Sequence, residues 1–137
     1  MADVCNNSPI PIALDEELIG VEGARSRDEL LNTIKPHAIV LKPSLHGGFA
    51  SCDDWLLRCG FHKVGWWATS YLESNLGLAA LAQWLSTRDI GQTHGLGTGK
   101  LYRHNLEIPA TISGGKFIWR GDFSPTMHSL PGMSMLC

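Results

Sequence analysis

The chain has no apolar run approaching the ~20 residues of a membrane-spanning helix. Its four cysteines, Cys5, Cys52, Cys59 and Cys137, make no Cys-x-x-Cys pair and no Cys/His group at zinc-finger spacing. That excludes the common zinc and dithiol motifs. Cys52 and Cys59 fall two turns apart on one face of an expected helix, where a thiol packs as a small apolar group. No two of the six histidines stand four apart, so a helical histidine metal site is not expected. Charge of one sign is also lacking: 11 basic against 13 acidic residues give a net charge of −2. Nothing in that balance calls for nucleic acid or an anionic membrane as partner. The glycine-rich stretch Gly95-Leu-Gly97-Thr-Gly99-Lys100 is not a phosphate loop, because Leu101 follows the lysine and His94 stands where the first glycine belongs. The first residues, Met1-Ala-Asp-Val-Cys-Asn-Asn7, lack the basic and apolar regions of a signal peptide, so a cytoplasmic location is expected.

What the chain does have is a rhythm. Asp15 and Lys42 each close a short apolar run, Ile-Ala-Leu-Asp15 and Ile-Val-Leu-Lys42, 27 residues apart. A third run, Gly65-Trp-Trp-Ala-Thr69-Ser70, reaches its polar end after another 27, and the next interval falls within His94–Gly99. The runs 11–15, 38–42 and 64–70 are continuous rather than alternating, the pattern of parallel strands covered on both faces.

Helices are expected between them. Ser26-x-x-Glu29, Ser51-x-x-Asp54 and Ser70-x-x-Glu73 each have the form of a capping box, predicting helices over 27–34, 52–59 and 72–87. Pro36 and Gly60 supply stop signals for the first two. In the third, Leu78, Leu81, Ala82 and Leu85 make one apolar face, and Gly77 offers close packing on a strand. Glu73 has two readings, helix cap or support of a substrate loop. Trp66, Trp67 and Trp84 read as wall and helix packing rather than as a platform for bases.

The β-α-β-α-β-α order with short connections implies a parallel sheet. One polar group at the end of each strand is how a (β/α) barrel arms its catalytic face. Beyond about residue 100 the rhythm stops. Segments 105–109 and 116–119 read as short extended pieces with a turn at Gly114-Gly115, followed by a Ser-, Pro-, Met- and Gly-rich stretch. The expected division is a partial barrel over 1–109 and, over 110–137, extended pieces with a poorly ordered tail. Three or four βα units cannot close a barrel of eight, and the first strand leaves no room for an earlier element, so the chain reads as half of one.

Four segments carry a resemblance. Ala13-Leu-Asp15-Glu16-Glu-Leu-Ile-Gly20, Leu41-Lys42-Pro43-Ser44-Leu-His-Gly-Gly48, Trp67-Ala-Thr69-Ser70-Tyr-Leu-Glu73-Ser74-Asn75-Leu-Gly77 and Gln92-Thr-His-Gly95-Leu-Gly97-Thr98-Gly99 resemble, in order, strands five to eight of the enolase superfamily barrel. Within it they resemble the o-succinylbenzoate synthase family. The resemblance implies an α/β chain forming the C-terminal half of a (β/α) barrel, strands 5–8 with their helices, with the capping domain and first half missing.

It also implies a lyase of menaquinone biosynthesis. Such an enzyme dehydrates 2-succinyl-6-hydroxy-2,4-cyclohexadiene-1-carboxylate to o-succinylbenzoate around Mg²⁺ held by carboxylates that end strands three to five. Removing a proton beside a carboxylate creates an enediolate with two negative charges, which a hard cation and an ammonium neutralise. By position, Asp15 matches a metal ligand, Glu16 a carboxylate behind it, and Lys42 the catalytic lysine of strand six. Thr69 and Ser70 match groups that approach the succinyl carboxylate, beside a helix N-terminus that favours anions. Gly95 and Gly97 match small residues leaving room for substrate. The chain has no Lys-x-Lys strand and no ligands of strands three and four, so it is expected to be inactive alone. Its expected partners are a small carboxylate substrate and, at the open sheet edges, a missing N-terminal half or a second copy. The alternatives are another superfamily activity, such as N-acylamino acid racemase, and a half-barrel remnant without catalysis.

Overall fold

In the computed structural model, residues 1–88, 92–97 and 101–120 are described. Three parallel strands form the main sheet: β1 (Ala13–Leu14), β2 (Ala38–Leu41) and β3 (Gly65–Ala68), in that order. Helices α2 (Gly23–Ile34) and α3 (Gly48–His62) make the two crossovers, and α4 (Asn75–Ser86) follows β3. A short helix α1 (Ala2–Asn7) precedes β1, where the sequence left room for nothing. It lies against α2 and buries Cys5. The register sets Leu14 beside Ile39, Ile39 beside Trp66 and Leu41 beside Ala68.

Segment 94–96 extends this sheet without becoming a full strand. Gly95 bridges Thr69 in parallel, its N–H donating to the Ala68 carbonyl at 2.9 Å while its own carbonyl accepts from the Ser70 N–H at 3.1 Å. A separate antiparallel hairpin pairs β4 (Ala110–Ser113) with β5 (Lys116–Trp119). Both turn residues, Gly114 and Gly115, have positive φ (57° and 72°), the conformation a two-residue hairpin turn demands. The earlier strand of the pair is thus 110–113 and not 105–109, because Pro109 cannot donate to a ladder. The tail reading for 121–137 lies outside the described residues.

Alternation divides the sheet's two faces. Leu14, Ile39, Leu41 and Ala68, all at 0% exposure, face the helices and join Leu31, Cys52, Trp55, Cys59, Leu81 and Leu85 in the core. Cys52 and Cys59 pack there as small apolar residues, and burial pushes both thiols up to about 12. On the other face Val40 is buried and Trp67 half-buried, but Ala13 and Gly65 are exposed. The expectation of strands covered on both faces therefore holds for only one. Trp66 packs on Trp84, with ring centroids 6.4 Å apart, and Phe49 stacks on Trp84 at 5.6 Å. No helix among the described residues is long and apolar enough to cross a membrane.

The three capping boxes do not cap. Helix α2 begins at Gly23 with Glu22 before it, so Ser26 and Glu29 lie inside it, and Glu29 accepts from Arg25 one turn back. Helix α3 begins at Gly48, because Gly47 and Gly48 (φ 82° and 83°) make the turn out of the β2 loop. It runs past Gly60 to His62 and ends on Lys63 in the left-handed conformation. Helix α4 begins at Asn75, capped by Ser74, whose hydroxyl accepts from the Gly77 N–H. Gly77 makes room for the stem of Glu73, not for a strand: a Cβ there would lie 3.0 Å from the Glu73 Cβ.

Ser51 and Asp54 are instead the receptors of Arg27, a buried cation at 6% exposure. Its guanidinium donates to Asp54 Oδ2 and to Ser51 Oγ, each at 2.6 Å, and to the Ser51 carbonyl at 3.2 Å, and it stacks on Trp55. Burial works against ionisation of Asp54, but its bonds to Arg27 and Arg58 outweigh it and hold the carboxyl below its ordinary range. This clamp ties α2 to α3. Arg27→Ala is expected to destabilise the chain by about 2–3 kcal/mol, less than for a fully buried pair because Asp54 keeps some contact with water. Urea unfolding at pH 7 measures it, and a loss below about 0.5 kcal/mol would reduce the clamp to an ordinary surface ion pair.

Candidate functional site

Asp15, Lys42 and Thr69 each follow the last residue of a strand, so all three stand at the carboxyl end of the sheet. Parity puts them on the face away from the helices, because their preceding residues, Leu14, Leu41 and Ala68, are the buried ones. The register continues Lys42 onto Thr69 and Asp15 onto Val40. Lys42 therefore stands two residues, roughly 6.6 Å, further along the sheet than Asp15. A lysine stem spans that stagger: Nζ of Lys42 donates to Oδ1 of Asp15 in an ion pair. The lysine side chain is 12% exposed and the aspartate 44%.

The support around this pair is local. Glu17 Oε2 accepts from the Asp15 N–H at 3.0 Å, whereas Glu16 is exposed and makes no such bond. The carboxylate behind Asp15 is thus Glu17, from a 3-10 turn over Glu16–Leu18 whose Leu18 is buried. At Lys42 the missed residue is His46. It is buried at 5% exposure, and its Nδ1 accepts from the Lys42 N–H at 3.1 Å. A histidine four residues after the lysine, before a glycine pair, was the available signal. His94 acts alike at the next strand end, where its Nδ1 accepts from the Ala68 N–H at 3.2 Å and its ring stacks on Trp66.

Thr69 and Ser70 lie beside segment 94–97. Thr69 Oγ1 is buried without a hydrogen-bond partner among the described residues. The Ser70 N–H and hydroxyl both donate to the Gly95 carbonyl, at 3.1 and 3.4 Å. Gly95 leaves room, but for Thr69: an added Cβ would sit 2.8 Å from Thr69 Cγ2. Gly97 faces open space, while Gly99 lies outside the described residues. The nearest helix N-terminus is not at Ser70, since α4 starts five positions later at Asn75. Leu72, at φ 50°, breaks the chain direction between them. The site therefore brings Asp15, Lys42, Thr69 and Gly95 onto neighbouring strand ends and leaves Glu16 and Gly97 at its exposed margin.

No family model matches the sequence. Over 115 residues, 84% of this chain, it is 50% identical to an o-succinylbenzoate synthase of Desulfotalea psychrophila (strain LSv54 / DSM 12343), of which it covers 31%. The chain resembles part of an o-succinylbenzoate synthase. The crystal structure of MenC from Desulfotalea psychrophila LSv54 superposes with a TM-score of 0.79 at 49% identity, over 85% of this chain and 32% of that one. An L-Ala-D/L-Glu epimerase from Bacillus subtilis matches with a TM-score of 0.74 at 20% identity, over 88% of this chain and 33% of its own. A muconate lactonizing enzyme from Pseudomonas putida matches at 0.62 and 20%, over 80% and 29%. The last two likenesses show the fold alone. The chain spans about a third of the length of each protein it matches.

The donor set does not make a metal centre by itself. Among the described residues no three His, Cys, Asp or Glu side chains converge as a cation would need. Asp15 already neutralises Lys42. A single paired carboxylate does not displace the tightly held water of Mg²⁺.

Burial lowers the pKa of His46; Lys42 and Arg27 push it the same way, and only Asp15 opposes them. The native state thus prefers the neutral ring. Its contribution is present above the ordinary value of 6.5 and is lost as pH falls through the lowered one. His46→Asn keeps an acceptor near Nδ1 and removes the titration. Urea midpoints of parent and variant should run parallel above pH 7 and diverge below it, the parent losing more. Parallel lines down to pH 5 would show that His46 does not govern this window.

Proposed function

We propose that the chain supplies the C-terminal half of an o-succinylbenzoate synthase barrel, with β1, β2, β3 and segment 94–96 as strands five to eight. The observation that carries this reading is the 50% identity over 84% of the chain, coupled with the meeting of Asp15 and Lys42 at adjacent strand ends. The reaction is loss of water from 2-succinyl-6-hydroxy-2,4-cyclohexadiene-1-carboxylate to give o-succinylbenzoate. The driving force is formation of an aromatic ring, so the protein contributes mainly position and charge.

In this reading Lys42 is the catalytic residue of the chain. Its ammonium lies on a largely desolvated stem and faces the side of the sheet where a ring would bind. Negative charge developing on the substrate carboxylate as the proton leaves gives Lys42 a stronger partner than Asp15. His46 fixes the backbone from which the lysine projects. The Thr69 hydroxyl, buried and without a partner among the described residues, offers a donor to the succinyl carboxylate. Asp15, released from Lys42, is the carboxylate this chain adds to a cation site whose other ligands come from elsewhere.

Two tests follow. The chain alone, residues 1–137, is expected to show neither turnover nor submillimolar Mg²⁺ binding in calorimetry. Clear activity would overturn the half-barrel reading. A complete barrel is made by fusing this chain to the remaining two-thirds of the Desulfotalea relative. In it Lys42→Ala should cut turnover by at least ~10², with a smaller change in KM, the pattern for a group acting on developing charge. Lys42→Arg should not rescue it, because a planar fork does not occupy the place of a compact ammonium. Turnover within a few-fold of the parent after Lys42→Ala would remove Lys42 from the mechanism.

Strand β1 is an edge of the sheet, pairing with β2 alone among the described strands, and a matching half or a second copy would cover it. The isolated chain should elute as a dimer or larger species in chromatography with light scattering. A monodisperse monomer with sharp cooperative unfolding would contradict the open-edged reading.

A further inference from the structure

We propose that Glu73 is a positioning residue that locks the Lys42 strand end to the Thr69–Ser70 strand end; the proposal rests on the reading of Lys42 as catalytic. Two residues beyond Lys42, the Ser44 hydroxyl donates to Glu73 Oε1 at 2.8 Å. Glu73 itself lies three residues beyond Ser70. One hydrogen bond between residues 29 apart in sequence thus closes the gap between the loops that leave β2 and β3.

The surroundings are built for that bond. The stem of Glu73 lies against Gly77, where any side chain would crowd it, with a Cβ only 3.0 Å from the Glu73 Cβ and 3.1 Å from its Cγ. The second oxygen, Oε2, is buried and has no partner among the described residues, where Ser44 is the hydrogen-bond donor to this carboxylate. The carboxylate immediately precedes the Ser74 cap of α4, where the helix N-terminus favours its charge.

The loop is also pinned from its far side. The Tyr102 hydroxyl donates to the Leu72 carbonyl at 2.5 Å. Asn75 makes a two-way bond with the Leu106 backbone, its Nδ2 donating at 2.5 Å and its Oδ1 accepting at 3.2 Å. Leu72, between Ser70 and Glu73, is thereby kept at φ 50°, a conformation a leucine does not choose freely. With one side fastened to segment 102–106 and the other to Ser44, the turn after Ser70 has little freedom. The Lys42 loop shares that restraint through the Ser44 bond. A catalytic ammonium loses about tenfold or more when its placement relaxes by a fraction of an ångström to 1 Å.

The test has two arms. In the chain alone, Ser44→Ala, Glu73→Ala and the double variant are compared by urea unfolding. A lock predicts that the double variant is no less stable than the worse single one, and fully additive losses would overturn it. In the completed barrel, Ser44→Ala and Glu73→Ala should each lower kcat by about tenfold or more while KM moves less than about threefold. Glu73→Gln, which keeps an acceptor for Ser44, should retain about half of the parent kcat or more. A Ser44→Ala enzyme with parental kcat, or a Glu73→Gln enzyme as damaged as Glu73→Ala, would overturn the positioning role. If the unsubstituted completed barrel does not turn over, the synthase reading itself fails, and the unfolding cycle still decides whether the two strand ends are locked.

Discussion

Leu14, Ile39, Leu41 and Ala68 are withdrawn from water on the helix side of the sheet, and this burial sets the parity of every residue that follows them. A large aliphatic side chain gains about 1.5–3 kcal/mol on full burial. A slip of one residue in any strand would turn these side chains outward and drive Asp15, Lys42 or Thr69 into an apolar layer. The hydrophobic term and the charge term thus forbid the same error. The polar strand ends lie together on the open face because the apolar residues before them lie together on the closed one. The same core explains the inert thiols of Cys52 and Cys59, which fill space beside Trp55 where no charged sulfur would be tolerated.

The ion pair between Asp15 and Lys42 follows from the sheet's stagger. Equal spacing of 27 residues along the sequence does not mean equal height on the sheet, since β1 and β2 are registered 25 apart and β2 and β3 27 apart. Thr69 is level with Lys42, and Asp15 falls one pleat behind. Lysine is the side chain long enough to reach across that step while keeping its stem on apolar surface. An aspartate with water on one side and a lysine on the other is stable without a cation, so the chain keeps this pair of charges satisfied by itself.

Much of this was legible in the sequence. The strands, their parallel order, the polar residue ending each one and the packing role of the tryptophans all follow from short apolar runs at a fixed period. The helix starts were not legible, and the reason is physical. Ser51 and Asp54 have the spacing of a capping box because that spacing puts two oxygens on one helix face, and an arginine from a neighbouring helix can claim them as readily as the helix's own N–H groups. Gly47-Gly48 was the stronger signal, since two positive-φ residues after a strand leave the chain little choice but to turn. Glu17 and His46 were missed for a different reason. Both act on the backbone N–H of a site residue, a bond that sequence spacing alone does not announce. Gly95 was expected to leave room for substrate, and the space it leaves is taken by the Thr69 methyl.

The restraints on the site are short in sequence wherever they concern a single residue. Glu17 holds the Asp15 amide from two positions away, and His46 the Lys42 amide from four. They become long only where two strand ends must agree, as in Lys42 with Asp15 across 27 residues and Ser44 with Glu73 across 29. Local bonds fix where each side chain starts, and cross-strand bonds fix how far apart two starting points lie. A catalytic face needs both, because a lysine aimed well from a drifting strand is still misplaced. Both kinds are encoded within this third of the relatives' length. On the proposed synthase reading the remaining carboxylates would come from other strands, and the strand ends that would meet them are already set at their relative heights.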